Sequence, residues 1–278
     1  MSAALQTEIF GLSPRQNIPP SQLKVRLLPS STAPDPQRQL LTTFLVDESL
    51  AIDAGSLAFA LTTEEMHRIR HILITHSHAD HTASLPIFIS EVFPTLTAPV
   101  VVHATPHVID ALHRFVFNGD MWPDFAQIPL LNGRGPALEF CPLKPGTPVT
   151  IGDLQVTPIR VNHLVPTVGF IVEGPQAGFA ITSDTYMTDE IWAAVSRSER
   201  IKAIFVDVSY PNEMEDLAAV SRHFTPRSLR SDLRKLARDV PICVAHIKPA
   251  YRETVLRQLA ELRDPRISVV EIGRNYAW

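Results

Sequence analysis

The stretch ILITHSHADHTASLP, residues 72–86, decides the reading of this chain. An apolar run ends, and His76, His78, Asp80 and His81 follow within six positions. The preceding HILIT (71–75) is β-rich and apolar and predicts a buried strand. In an extended loop His76 and His78 flank Ser77, so both imidazoles point the same way. Asp80 and His81 come as the chain turns into the next predicted helix. Such a loop can offer one pair of ligands to one metal and the other pair to a second. Imidazole with carboxylate suits Zn²⁺, Mn²⁺ or Fe²⁺ better than Ca²⁺ or Mg²⁺. The plain alternative is a surface cluster of histidines, and an HxHxDH run directly after a buried strand weighs against it.

Four ligands in one loop cannot complete two metal sites, so later strand ends should supply more. Three places fit. His163 follows VTPIRVN, Asp184 follows GFAITS, and His246 follows PICVA. A polar residue at a strand end is ordinarily a turn residue or cap. Three of them in order, each ending an apolar run, point to a shared centre.

On these residues the chain resembles the metallo-β-lactamase fold hydrolases. IDAG (52–55), THSHADH (75–81), His163, Asp184 and His246 carry the likeness, which spans nearly the whole chain. The fold this implies is an α/β one: an αββα sandwich, two mixed sheets flanked by helices, with the site at one edge of the sheets. The resemblance assigns His76, His78 and His163 to one metal and Asp80, His81 and His246 to a second. Asp184 would bridge them, and Asp53 would steady the metal loop without binding metal.

Within that group the chain is similar to the class II 3′,5′-cyclic-nucleotide phosphodiesterases. The segments concerned are FLVDESLAIDAGSL (44–57), FNGDMWPDFAQIP (117–129), VSYPNEMEDLAAVSRHFTP (208–226) and AHIKP (245–249). This implies two divalent ions, zinc first with manganese or iron as alternatives, about 3.5–4 Å apart around a shared hydroxide. The implied substrate is cAMP or cGMP, and the product a nucleoside 5′-monophosphate. Asp80 and Asp184 would serve the catalysis, with His223, in SRHFTP, as phosphate contact or proton donor supported by Asp207. The other reading of His223 is a loop residue ahead of a helix capped by Thr225. The chain departs from the family at Ala83-Ser84, near a common glycine, and at Asp207, where glutamate is frequent.

Composition bounds the alternatives. With 278 residues, 45% hydrophobic and 19% charged, the chain has ample material for a core and is read as one hydrolase domain over 1–278. A formal net charge of −4 and the lack of a dense Lys/Arg run argue against a nucleic-acid partner, and so against an RNA-processing phosphodiesterase with a basic arm. The metal set alone leaves lactamase, thioesterase and lactonase chemistry open. Iron-dependent oxidoreductases of this fold usually carry HxExD, and a decayed binding module should have lost ligands.

Cys141 and Cys243 are far apart and form no CxxC, and Cys243 in PICVAHI reads as a small core residue. The N-terminal MSAALQTEIFGLSPRQ lacks a basic start with an apolar core, and no apolar run approaches a membrane span. A cytoplasmic enzyme without a membrane partner is expected. A homodimer stays open, since related hydrolases often pair.

Trp122 and Phe125 could line a purine-stacking wall or anchor a long loop, and the anchor is favoured. Lys248 could attract phosphate or be a surface lysine. His67, His71, His103, His107 and His113 read as surface or packing residues.

Alternating segments complete the expectation. Strands are predicted at 24–28, 41–46, 49–53, 71–75 and 99–103, then in QVTPIRV, TVGFIVE, GFAITSD, IKAIFVDVS, PICVAH and ISVVEI. Helices are predicted over 62–70, with a Thr62–Glu65 capping box, over 82–93, and from Thr105-Pro106 to about Phe117. Others follow in TDEIWAAVSRS, TPRSLRSDLRKLARD and ETVLRQLAELR. Residues 118–150 are read as loop-rich.

Overall fold

The structure, a computed structural model, describes residues 22–30, 35 and 37–278. The N-terminal stretch read above for a leader lies outside them. Among the described residues no helix is long and apolar enough to cross a membrane.

The strands run in two sets along the chain. The first comprises β1 (Lys24–Leu27), β2 (Phe44–Val46), β3 (Leu50–Ile52), β4 (His71–Leu73), β5 (Val100–Ala104) and β6 (Leu138–Pro142). The second comprises β7 (Val149–Ile151), β8 (Leu154–Val161), β9 (Thr167–Glu173), β10 (Gly178–Ile181), β11 (Ile201–Asp207), β12 (Ile242–Ala245) and β13 (Ile267–Val269). The final strand, β14 (Tyr276–Ala277), returns to the first sheet. The sheet orders are β14-β1-β2-β3-β4-β5-β6 and β13-β12-β11-β10-β9-β8-β7. The helices are α1 (Leu57–Ala60), α2 (Thr63–Met66), α3 (Ala79–Thr82), α4 (Leu85–Val92), α5 (Pro106–Phe115), α6 (Glu190–Arg197), α7 (Glu215–Ser221), α8 (Pro226–Asp232) and α9 (Arg252–Glu261).

Side-chain alternation explains the layering. On β2, Phe44 and Val46 enter the core shared by the two sheets, while Leu45 faces the helical layer holding Leu57, Phe88 and Leu112. On β9, Val168, Phe170 and Val172 turn inward and Ile171 packs toward Trp192 and Leu229. Three apolar layers result, and they require an αββα sandwich. From β3 to β6 the pairing is parallel, as it is from β10 to β13. Parallel strands deliver their C-terminal ends to one edge, where chemistry concentrates in such sheets.

The structure corrects several boundaries. The region read as loop-rich over 118–150 contains β6 and the start of β7. Gly and Pro around LEFCP hid it; among the described residues β6 pairs only with β5, so its Pro142 sits on a sheet edge, where proline is tolerated. Pro158 within β8 is accommodated the same way, because β7 reaches only Leu154–Val156. The helix expected from 82 starts at Ala79 and breaks between Thr82 and Leu85. The helix expected over 62–70 is the single turn α2, and its Thr62–Glu65 capping box is present. Helix α7 was not anticipated: of its residues only Ala218 is buried, so it shows no apolar period. Cys243 is a core residue, as expected.

Two of the unassigned histidines form a pair, His103 buried and His71 partly so. His71 Nδ1 and His103 Nε2 lie 3.0 Å apart on neighbouring strands β4 and β5. Burial, and then the neighbouring His71, depress the His103 pKa from 6.5 to about 4. Folding therefore favours the neutral ring. Its stabilisation is complete above pH 6.5 and is lost as pH falls toward about 4. At about 1.4 kcal/mol per pH unit this amounts to about 3 kcal/mol. Urea denaturation of the metal-free protein is expected to show His103→Leu losing less stability than the parent over that window. An equal acid loss would be the failing result.

Candidate metal centre

The ligand-type residues sit where the sheets end. Asp53 follows β3, and His76, His78, Asp80 and His81 follow β4. Asp184 follows β10, while His246 is the residue after β12. His163 closes β8 from the second sheet, and His223 enters from the loop between α7 and α8. The seven residues singled out as ligands meet in two groups. His76, His78, His163 and Asp184 form one, and Asp80, His81, Asp184 and His246 the other; within each group the ligand atoms lie within 4.8 Å of one another. Asp184 belongs to both. Its Oδ2 is 3.8 Å from His76 Nε2 and 4.0 Å from His163 Nε2. Its Oδ1 is 3.3 Å from His81 Nε2 and 3.4 Å from His246 Nε2.

The far nitrogens of these rings are tethered. His81 Nδ1 donates to Asp53 Oδ2 at 2.7 Å, and His76 Nδ1 lies 3.0 Å from Thr75 Oγ1. His163 Nδ1 donates to the Arg222 carbonyl at 3.1 Å, and His246 Nδ1 lies 2.9 Å from Ser209 Oγ. His78 is the exception, with Nδ1 turned to within 3.2 Å of His163 Nε2. The inward nitrogens are poorly served: His76 Nε2 and His81 Nε2 are buried without a hydrogen-bond partner among the described residues. Orphaned buried nitrogens around a buried carboxylate fit a divalent cation, which would satisfy them together.

Electrostatics agree. Burial pushes Asp184 upward, but His246 and His81 outweigh it and hold the carboxyl well below its usual range. Asp80 behaves alike: burial opposes, and His246 with His81 brings it down. Burial first, then neighbouring imidazoles, drives His76 well down, and His78 and His163 are lowered chiefly by burial. His81 is the converse, because Asp184 and Asp53 on its two sides overcome burial and raise it.

The backbone is forced to suit the site. Asp53 (φ 62°), Ser183 (58°) and His246 (61°) occupy the left-handed region, at about 1–3 kcal/mol each. Asp53 is held by Thr75, whose amide and hydroxyl both donate to it, at 2.8 and 2.9 Å. His246 N–H donates to Gln39 Oε1 at 2.8 Å. At the departure from the family glycine, Ser84 Oγ donates to the Ala54 carbonyl at 2.8 Å and accepts from Ala58 N–H at 3.1 Å. The serine thus clamps the IDAG turn to the metal loop.

A third group joins Asp184, Asp207, His223 and His246. His223 Nδ1 donates to Asp207 Oδ2 at 2.7 Å, and its ring stacks on His246 at 5.5 Å. Burial lowers the His223 pKa, but Asp207 more than compensates and raises it. Thr225 caps α8 as well, as the helix-start reading of this loop expected. Lys248 Nζ stands 4.0 Å from Asp80 Oδ2, at the site rather than on remote surface. Phe125 is buried against Phe93, and half-buried Trp122 donates to Ser90 Oγ at 3.1 Å, so both anchor the loop. His67 meets Thr95, His113 packs on Phe140, and His107 is exposed, all apart from the site. Sequence reading missed Thr75, Ser84, Ser209 and the Arg222 carbonyl; lone hydroxyls and a main-chain oxygen carry no spacing signal.

A family model described as "Beta-lactamase superfamily domain" matches residues 42–247. The chain belongs to the β-lactamase superfamily. Its fold is the metallo-β-lactamase sandwich, as the solved structures of that fold bear out. Unliganded yeast PDE1 superposes with a TM-score of 0.75 at 18% identity, over 93% of this chain and 100% of that one. A protein of Yersinia pestis named "Probable 3′,5′-cyclic-nucleotide phosphodiesterase" is 23% identical over 291 residues, covering 83% of this chain and 82% of its own length. A "Ribonuclease Z" of Bradyrhizobium sp. (strain ORS 278) is 33% identical over 98 residues, 34% of this chain and 29% of its own length.

Proposed function

We propose that the chain is a two-metal phosphodiesterase that opens 3′,5′-cyclic nucleotides, cAMP or cGMP, to nucleoside 5′-monophosphates. The observation that carries this reading is the pair of ligand-type groups joined through buried Asp184. His76, His78, His163 and Asp184 would hold one divalent ion, and Asp80, His81, His246 and Asp184 the other. The donors favour Zn²⁺, with Mn²⁺ or Fe²⁺ as alternatives. Bound there, the ions supply Lewis-acid charge for a phosphoryl oxygen and a water of lowered pKa.

The rest falls to the chain's own residues. Asp53 and Thr75 fix the rings of His81 and His76 from behind. Asp207 holds the Nδ1 proton of His223 and raises its pKa, which suits His223 to protonate the strongly basic leaving 3′ oxygen or to contact the phosphate. Lys248 adds positive charge on the same rim. Substrate class is supported by the Yersinia protein, which aligns over most of the chain, whereas the ribonuclease aligns over a third. A net charge of −4 offers a polynucleotide no general attraction.

The test is hydrolysis of 3′,5′-cAMP by zinc- or manganese-loaded protein, with products separated by chromatography and a chelated control. Expected is 5′-AMP, abolished by chelator and restored by metal. Intact cAMP and cGMP with two ions bound would sink the substrate class. Cleavage of RNA alone would move the reading to the ribonuclease branch.

A further inference from the structure

We propose that Ser209 is a positioning residue that sets the tautomer of His246, in a network it shares with Asp207 and His223, and so aims His246 Nε2 at the metal centre. Ser209 lies two residues beyond β11 and is wholly buried. Its Oγ is 2.8 Å from Asp207 Oδ1, 2.9 Å from His246 Nδ1 and 3.3 Å from His223 Nδ1, with the His246 carbonyl at 3.0 Å. A hydroxyl has one proton to give and lone pairs to accept with. Asp207 is the charged acceptor, so the proton goes there, and Oγ accepts from His246 Nδ1–H. Asp207 uses its other oxygen for His223 Nδ1–H, at 2.7 Å.

The outcome is an ordered chain: His246 Nδ1–H to Ser209 Oγ–H to Asp207 Oδ1, and His223 Nδ1–H to Asp207 Oδ2. In it His246 Nε2 keeps its lone pair, 3.4 Å from Asp184 Oδ1 and 3.3 Å from Asp80 Oδ2. No direct bond substitutes for the serine, because His246 Nδ1 is 3.6 Å from Asp207 Oδ1. Ser209 is itself held by both loops it serves: its N–H donates to the Phe224 carbonyl at 3.0 Å, and its carbonyl accepts from Lys248 N–H at 3.3 Å. Outer partners that fix a ligand's tautomer are worth about 10–100-fold in metal affinity.

The proposal rests on the metal-centre reading but not on the substrate. Long-range ¹H–¹⁵N NMR of the metal-free, unaltered chain in mildly alkaline buffer reads the tautomers directly. Nδ1-protonated His246 and His223 are expected, and an Nε2-protonated His246 would overturn the proposal, whatever any variant does. In Ser209→Ala, the affinity for one of the two zinc ions is expected to fall about 10–100-fold, with the other held and His246 shifting toward the Nε2–H tautomer. Ser209→Thr, which keeps the hydroxyl, is expected to recover that affinity. Wild-type affinity for both ions in Ser209→Ala would also overturn it. Failure of the unaltered chain to bind any metal would count instead against the centre, which the tautomer measurement does not presuppose.

Discussion

Asp184→Asn is expected to cost at least one of two bound metal ions and about 10³-fold or more in phosphodiester hydrolysis. The substitution keeps shape and removes charge. Asp184 is 2% exposed and is the one carboxylate shared by both ligand groups. Four inward imidazole nitrogens lie within 4.0 Å of its oxygens, at 3.3, 3.4, 3.8 and 4.0 Å. No other described acid is placed between the two groups, so no neighbour can take its role. About 4 kcal/mol of lost charge stabilisation in a buried site corresponds to the stated rate loss. Elemental analysis of the purified variant, together with its turnover of cAMP, decides it. Two ions retained with undiminished hydrolysis would remove Asp184 from the bridging role.

Gly55→Ala is expected to damage folding and metal binding together, through a single methyl group. A Cβ at Gly55 would lie 2.0 Å from the Asp80 carbonyl oxygen and 2.8 Å from both the amide nitrogen and the carbonyl oxygen of Thr42. All three are main-chain atoms, so no flexible side chain can swing aside. The same atoms are already bonded: Thr42 N–H donates to the Asp80 carbonyl at 2.8 Å, and Gly55 N–H to the Thr42 carbonyl at 3.0 Å. Relief of the clash must therefore pull Asp80 and His81 out of register with Asp184. Overpacking of this kind costs about 3 kcal/mol or more. Denaturant unfolding and metal stoichiometry check the expectation. Stability within about 0.5 kcal/mol of the parent, with both ions bound, would mean that the turn has slack the structure does not show.

The two results probe different depths of legibility. His76, His78, Asp80 and His81 were readable because a run of four ligand types after an apolar strand has no structural excuse. His163, Asp184 and His246 were readable because each ends an apolar segment, and strand ends are where such sheets gather polar side chains. Strands β6 and β7 escaped because Gly and Pro dominate their surroundings and a sheet-edge strand needs little apolar signal. Helix α7 escaped because a helix lying mostly in solvent has no buried stripe.

By itself, then, the sequence determined which atoms could meet at the centre, since ligand type and apolar patterning are local properties. Pairing those atoms belonged to the tertiary structure. Asp53 reaches His81 across 28 residues, Arg222 reaches His163 across 59, and Ser209 reaches His246 across 37. The left-handed turns at Asp53 and His246 exist only because neighbouring loops hold them. Which nitrogen of each ring faces inward is set by such contacts. They depend on where two sheets place their edges, a quantity no window of sequence contains.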